Sequence, residues 1–322
     1  MGDSMSNLEN LSLVTNIFGD GLVIRDILLD WFRFLGGKPG EVVVIDCGSD
    51  AETHAIYWKL YQEGLIDKLQ LIQADHEDNY GGSETGYIQE YTAAAIASKP
   101  YILWFHSDTL PYKDGHDNWL EESINHLERE DVFAISGAFN LPSKHHDACP
   151  GWYFSHKCSL NFALMKRITF MKAIHEFAGS YIISGFKGEN PAEATNQSRY
   201  LFEVAMEQYI QRHNQYTLCK VEDPNWTVFH TNTHGERLKM TREKYLARQK
   251  IERFMNVGDS DAEPIPSKAL YYGQPPVGIM KRLRIAFGES SIGPYWRSIK
   301  QQLGDWSRYA TNSIKKDRAS QM

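Results

Sequence analysis

The chain is poor in cysteine and lacks the patterns that cysteine usually makes. Its four residues of this type, Cys47, Cys149, Cys158 and Cys219, include no C-x-x-C pair. That indicates neither a zinc knuckle nor a disulfide scaffold, and reduced thiols in a cytosolic protein are the simpler expectation. Long apolar runs are also missing: none approaches the roughly 18 uninterrupted apolar residues that a membrane span requires. The opening MGDSMSNLENLSLV has no basic stretch leading into an apolar one, so no secretory signal is expected. No internal repeat or low-complexity block is present. Acidic side chains outnumber basic ones over most of the chain, which argues against a nucleic-acid partner, because phosphate binding needs a broad positive surface.

What is present is globular: 322 residues, 42% hydrophobic and 23% charged. That is enough for one large domain with an appendage or for two small domains. The net charge of −7 is unevenly spread. Residues 279–322 hold nine basic side chains against three acids, so this tail carries +6 and leaves −13 for the rest.

The first two hundred residues alternate strand and helix signals, which predicts a sheet with helices on its faces. LSLVTNIF is an apolar, β-branched run suited to a first strand. GLVIRDILLDWFRFLGG places Ile24, Ile27, Leu28, Trp31 and Leu35 on one helical face, with Gly36-Gly37 as a stop. EVVVID, LQLIQA, YILWF and VFAIS read as further strands. Between them, AETHAIYWKLYQEGL (capped by Asp50), SETGYIQEYTAAAIASK and DNWLEESINHLERE read as helices. The rhythm then changes. LPSKHHDACPGWYFSHKC is a polar, aromatic loop without a clear period, SLNFALMKR is a strand, ENPAEATNQS a loop and RYLFEVAMEQYIQRH a helix. TLCKVE and WTVFH are short strands, followed by a charged helical stretch over 238–255 and the linker GDSDAEPIPS.

The chemistry gathers at strand ends. In an open α/β sheet, ligands bind where strands end at their carboxyl side. Asp46 closes EVVVID, His106-Ser107-Asp108 follows YILWF, and His230 ends WTVFH. Two acids and one or two histidines converging there suit a divalent cation and a nucleotide, Mn²⁺ better than Mg²⁺. Taken singly, Asp46 reads first as a turn or capping aspartate, and His106 equally as a half-buried histidine with a satisfied ring.

The span from about Leu11 to His234 resembles a family-2-type glycosyltransferase of the GT-A fold. The resemblance rests on the acidic turn Ile45-Asp46-Cys47-Gly48-Ser49 and on an alanine-rich helix leading into a strand that ends in His106-Ser107-Asp108, where the family carries D-x-D. It implies an α/β, Rossmann-like, mostly parallel central sheet with helices on both faces. The glycosyltransferase domain would occupy 1–235, with a helical, basic extension over 236–322. The resemblance implies that Asp46, Thr15 and Ser107 line the nucleotide site, that Asp108 with His106 and His230 holds Mn²⁺ or Mg²⁺, and that Glu203 is the general base of an inverting transfer. The donor would be a nucleotide-sugar, a UDP-sugar in the first instance, and the acceptor a glycan or lipid-linked saccharide. Trp152 and Tyr153, beside His145, His146 and His156, are candidates to stack on the acceptor.

Several positions depart from the family pattern. The first acid of D-x-D is His106, and the second acid of the strand-two turn is Cys47. Gln89-Glu90-Tyr91 replaces the usual A-R-N, and an E-D pair has become Phe202-Glu203. No Q-x-x-R-W signature of processive synthases is present, which favours single-sugar transfer. Two other functions stay open: a catalytically inactive sugar- or partner-binding module, and a sugar nucleotidyltransferase. The latter usually needs a G-x-G-x-R segment and a lysine after the first strand, and TNIFGDGLVIRD lacks it. In the tail, Trp296 and Trp306 at near-helical spacing among lysines suit a helix lying in a membrane interface or one packed on the body. Localisation is expected to be cytoplasmic, at the inner face of a membrane if the tail binds one.

Overall fold

The computed structural model describes residues 7–72, 88–137, 144–145, 149, 152–184, 201–219, 225–231 and 233–247. The chain divides into two units, Met1–Gln274 and Pro275–Met322, and everything described belongs to the first. The basic tail with Trp296 and Trp306, the segment DNYGGSETGY and the loop ENPAEATNQS lie outside the described residues.

A mixed α/β architecture surrounds a nine-stranded sheet in the order β3-β2-β1-β4-β9-β6-β10-β8-β7. Its strands are β1 (Leu11–Ile17), β2 (Glu41–Asp46), β3 (Lys68–Leu71), β4 (Tyr101–Phe105), β6 (Val132–Ser136), β7 (Lys144–His145), β8 (Tyr153–Ser155), β9 (Phe162–Lys166) and β10 (Tyr216–Cys219). β1, β2, β3 and β4 are parallel neighbours. The expectation of a mostly parallel sheet needs one correction: β9 is inserted antiparallel between β4 and β6, and β8 runs antiparallel to β10.

Each central strand alternates between two cores, as the pleat requires. Leu13, Val42, Val44, Leu103 and Phe105 belong to one cluster, while Val14, Val43, Ile45, Ile102 and Trp104 belong to the other. The first is covered by α1 (Gly21–Leu35), α2 (Ala51–Gln62) and α4 (Trp119–Leu127). The second is covered by α3 (Ile88–Ile96), α5 (Arg167–Ile183) and α6 (Leu201–Arg212). Helices on both faces are therefore as the sequence implied.

α1 presents Ile24, Ile27, Leu28, Trp31 and Leu35 to its core and ends at Gly36, whose φ of 85° is left-handed and cheap for glycine. Asp50 caps α2, its carboxylate accepting from Thr53 N at 2.8 Å. α5 follows β9 without a connecting loop and was not evident from the sequence.

A second sheet pairs β5 (Thr109–Lys113) with β11 (Trp226–His230) antiparallel. β5 contains Pro111, which is tolerated because each strand of a two-stranded sheet has a free edge. The charged helix α7 (Gly235–Leu246) docks onto the body: Arg242 grips the buried Asp30 of α1 through Nε at 2.6 Å and Nη2 at 3.0 Å, and Tyr245 donates its hydroxyl to Pro111 O. This helix, placed at the head of the extension on sequence, thus packs on the same unit as the sheet.

Candidate functional site

Strand order reverses at β1: β2 and β3 lie on one side and β4 on the other. Such a switch point leaves a crevice outside the carboxyl ends of β1 and β4, where α/β proteins bind ligands.

β4 delivers its contribution through a tight turn. Thr109 N and Thr109 Oγ1 both donate to His106 O, at 3.0 and 2.7 Å, so His106-Ser107-Asp108 is held between the end of β4 and the start of β5. Ser107 donates to the carboxylate of Asp20 at 2.5 Å. Asp20, in the loop between β1 and α1, is 1% exposed and also accepts from His234 Nδ1 at 3.1 Å and Gly235 N at 2.9 Å. One buried carboxylate therefore binds the β1 loop, the β4 turn and the start of α7 together. Its hydrogen bond pushes the His234 pKa up.

Asp108 is anchored twice. Its main-chain oxygen accepts from Thr231 N and Thr231 Oγ1, each at 2.9 Å, and its carboxylate meets His230 Nε2 at 3.0 Å. Burial acts to raise the Asp108 pKa, but the hydrogen bond from His230 and the fields of His230, His106 and His234 together hold it below the usual carboxylate range. His106 is the reverse case: burial pushes its pKa down to about 4, so its ring is neutral at physiological pH. Its Nε2 is buried and makes no hydrogen bond among the described residues.

The end of β2 is built differently. Asp46 accepts from Gly48 N at 3.0 Å, from Ser49 N at 3.0 and 3.3 Å, and pairs with His54 Nε2 at 2.8 Å. Gly48, with φ of 92°, makes the turn possible. Gly19 N donates to Ser49 Oγ at 2.9 Å, joining this turn to the β1 loop. The carboxylate of Asp46 closes its own turn and orients His54, as the turn reading of this residue expects.

The sequence-predicted residues do not all come together. His106, Ser107, Asp108 and His230 come together at the crevice. Thr15 is fully buried on β1, two residues before its end, and on the α1 face by strand alternation. Glu203 lies in the first turn of α6, half-buried on the opposite face of the sheet. Trp152 requires correction: it is 2% exposed and packed in the core against His126 and Trp226, at ring distances of 5.0 and 6.3 Å. No face of the indole remains for a sugar. Tyr153 lies on β8, four strands from β4 and so about 19 Å across the sheet.

Among the described residues, no three His, Cys, Asp or Glu side chains are grouped to hold a metal ion. The expected set of His106, Asp108 and His230 does not fit a preformed site, because Asp108 and His230 are hydrogen-bonded to each other. Asp20, His54 and Glu90 are the polar residues that sequence reasoning missed. Glu90, 8% exposed, has its pKa pushed up to about 8, chiefly by burial, with the charge of Glu203 adding to the rise.

No family model matches the chain, and no curated protein matches it. Among solved structures, the mannosyltransferase PcManGT from Pyrobaculum calidifontis in complex with GDP-Man and Mn²⁺ is similar, with a TM-score of 0.42 and 12% identity. The match covers 80% of this chain and 66% of that one, so the chain spans slightly under two thirds of the length of that neighbour.

Proposed function

We propose that this chain is a glycosyltransferase that moves a sugar from a nucleotide-sugar to a glycan or lipid-linked acceptor, with inversion at the sugar carbon. The observation that carries the reading is the cluster at the β1–β4 switch point, where Asp20, Ser107, Asp108, His230 and His234 are joined by hydrogen bonds from four separate segments. A UDP-sugar is the first candidate donor. The main-chain anchors of Asp108 fix the position of its carboxylate, which pairs with His230, and Ser107 and Asp20 hold the β4 turn. Asp46 shapes the neighbouring turn and fixes the ring of His54. Glu203 acts as the general base that takes the acceptor hydroxyl proton as the sugar carbon is attacked. Among the described residues no helix is long and apolar enough to cross a membrane; contact of the basic tail with an anionic surface belongs to the same proposal.

The test is direct. Full-length protein is incubated with UDP- and GDP-sugars, with Mn²⁺ or Mg²⁺ added, and the released nucleoside diphosphate and the product's anomeric configuration are measured. Release with inversion supports the reading. Binding without any turnover assigns the chain instead to a non-catalytic sugar-binding module, and absence of nucleotide binding overturns both.

A further inference from the structure

The carboxyl end of β1 also has a side turned toward α3. There Asn16 Nδ2 donates to Oε1 of Glu90 at 3.0 Å. Glu90 lies in the first turn of α3 and is more than nine-tenths buried. Its second oxygen, Oε2, and the amide oxygen of Asn16 are both buried and have no hydrogen-bond partner among the described residues. Each such atom left unpaired costs about 1–3 kcal/mol. Two of them on one hydrogen-bonded pair, at the end of the strand that flanks the crevice, mark a place completed by another molecule.

The chemistry of that molecule follows from the protons. At neutral pH Glu90 retains its proton, because burial pushes its pKa up to about 8; its own main-chain N–H and then Asn16 oppose this, and Glu203 adds to it. With Oε1 accepting from Asn16, the proton belongs on Oε2, which becomes a donor beside the acceptor Oδ1 of Asn16. The charged and titratable groups facing Glu90 are Glu203 from α6 and Cys47 at the end of β2. His175 of α5 is engaged by the Tyr91 hydroxyl at 3.0 Å. Arg167 and Lys68 reach only the last turns of α3, at Ala94 O and Ile96 O. No cation therefore faces the pair, among the described residues.

We propose that Asn16 and Glu90 form a donor–acceptor hook for an uncharged, hydroxyl-rich group, the neutral sugar ring of the donor, and that it turns away anionic sugars. The inference rests on the glycosyltransfer reading for the identity of the donor, but not for the hook itself.

Titration calorimetry of the full chain at pH 7 with UDP, UDP-glucose, UDP-glucuronate, GDP and GDP-mannose tests it. A neutral-sugar nucleotide is expected to bind about tenfold or more tightly than its nucleotide alone, and Glu90→Ala to remove that gain while leaving the nucleotide unchanged. Glu90→Gln, whose amide replaces the O–H donor, should retain the gain within about threefold. Above about pH 8 the wild-type gain should fade as Glu90 ionises, whereas that of Glu90→Gln should persist; a merely structural role would not separate the two. Where Glu90→Ala does not fold, the pH profiles of wild type and Glu90→Gln decide. A preference for UDP-glucuronate, or a gain indifferent to both Glu90 variants, overturns the hook. If no nucleotide binds at all, the glycosyltransfer reading falls alone. The hook is then judged on free glucose and mannose, where Glu90-dependent binding supports it and its absence overturns it.

Discussion

The hydroxyl of Ser107 donates to the carboxylate of Asp20 at 2.5 Å, across 87 residues of sequence and within a buried setting. The bond couples the β4 turn to the loop after β1, and through His234 and Gly235 to the start of α7. Ser107→Ala leaves Asp20 with two of its three donors. Loss of one partner from a buried charged acceptor costs about 1–3 kcal/mol. Urea unfolding should show a lower midpoint with an unchanged slope, since the denatured state is not altered. An unchanged midpoint would mean that the contact is not formed in solution.

The docking of α7 is open to a similar test. Asp30 is 3% exposed and receives two hydrogen bonds from Arg242, with Arg33 Nη1 at 3.0 Å as a third donor. Removing one member of a buried pair typically costs about 3–5 kcal/mol because the other charge is stranded. With Arg33 still in place, Arg242→Ala should lie at the lower end, near 3 kcal/mol. The double variant Asp30→Leu/Arg242→Met should recover much of that loss, since no charge is left buried. A double variant as unstable as the single one would show that packing, and not the charge, sets the cost.

At the opposite end of the sheet, Glu41 accepts from Ser12 Oγ at 2.6 Å, Ser98 N and Ser98 Oγ at 2.8 Å, and pairs with Lys68 at 2.7 Å. Burial works against its ionisation, but Lys68 and the serine donors prevail and hold its pKa near 2, below the ordinary 4.5. A depressed folded-state pKa contributes stability that is present above the unfolded value and lost as pH falls through the folded one. The contribution should therefore be complete above about pH 5 and decline toward pH 2. Because Lys68 is partly exposed, solvent screening reduces it to about 1–2 kcal/mol. Glu41→Gln should be less stable at pH 7, with the gap closing as the solution is acidified. A gap independent of pH would show that the charge of Glu41 is not involved.

The main elements could be read from the sequence where an apolar run or a helical period ended in a glycine, a cap or a charge. EVVVID and YILWF are uninterrupted runs, and the heavy face of α1 stops at Gly36. β5 was hidden because Pro111 argues against a strand, and only its pairing with β11 makes it one. α5 was hidden because it starts where β9 ends, with no side-chain cap at Lys166 to announce it. The Asp108 turn was legible as a strand end. Asp20 was not, because its meaning depends on His234, 214 residues further along. Trp152 misled because an aromatic in a polar stretch looks like surface, whereas its side chain is buried in the core.

Asp108 offers a test of how the crevice treats a cation. No three side chains among the described residues are grouped as ligands, so Mn²⁺ alone should show no binding tighter than about millimolar, whereas Mn²⁺ should tighten UDP binding in the wild type. Asp108→Asn retains the main-chain bonds to Thr231 but loses the charge facing His230, at a stability cost of about 1.5–3 kcal/mol. Its UDP affinity should no longer respond to Mn²⁺. Equal UDP affinity with and without metal in both proteins would remove Asp108 from any metal role.

Glu203 provides the sharpest test of chemistry. It occupies the first turn of α6, where the helix dipole favours a charged carboxylate. The neighbouring Phe202 is buried, which limits the approach of water from that side. Glu90 is a nearby acid whose pKa is raised chiefly by burial, with the charge of Glu203 adding to the rise. A positioned general base contributes about 10²–10⁴-fold in rate. Glu203→Gln should therefore reduce kcat by about that factor while nucleotide-sugar affinity changes little, since the base serves the acceptor. Glu207, one turn further along α6, is the control: Glu207→Gln should leave kcat near the wild-type value. A Glu203→Gln enzyme with undiminished turnover, or a product that retains the donor's anomeric configuration, would exclude Glu203 as the base.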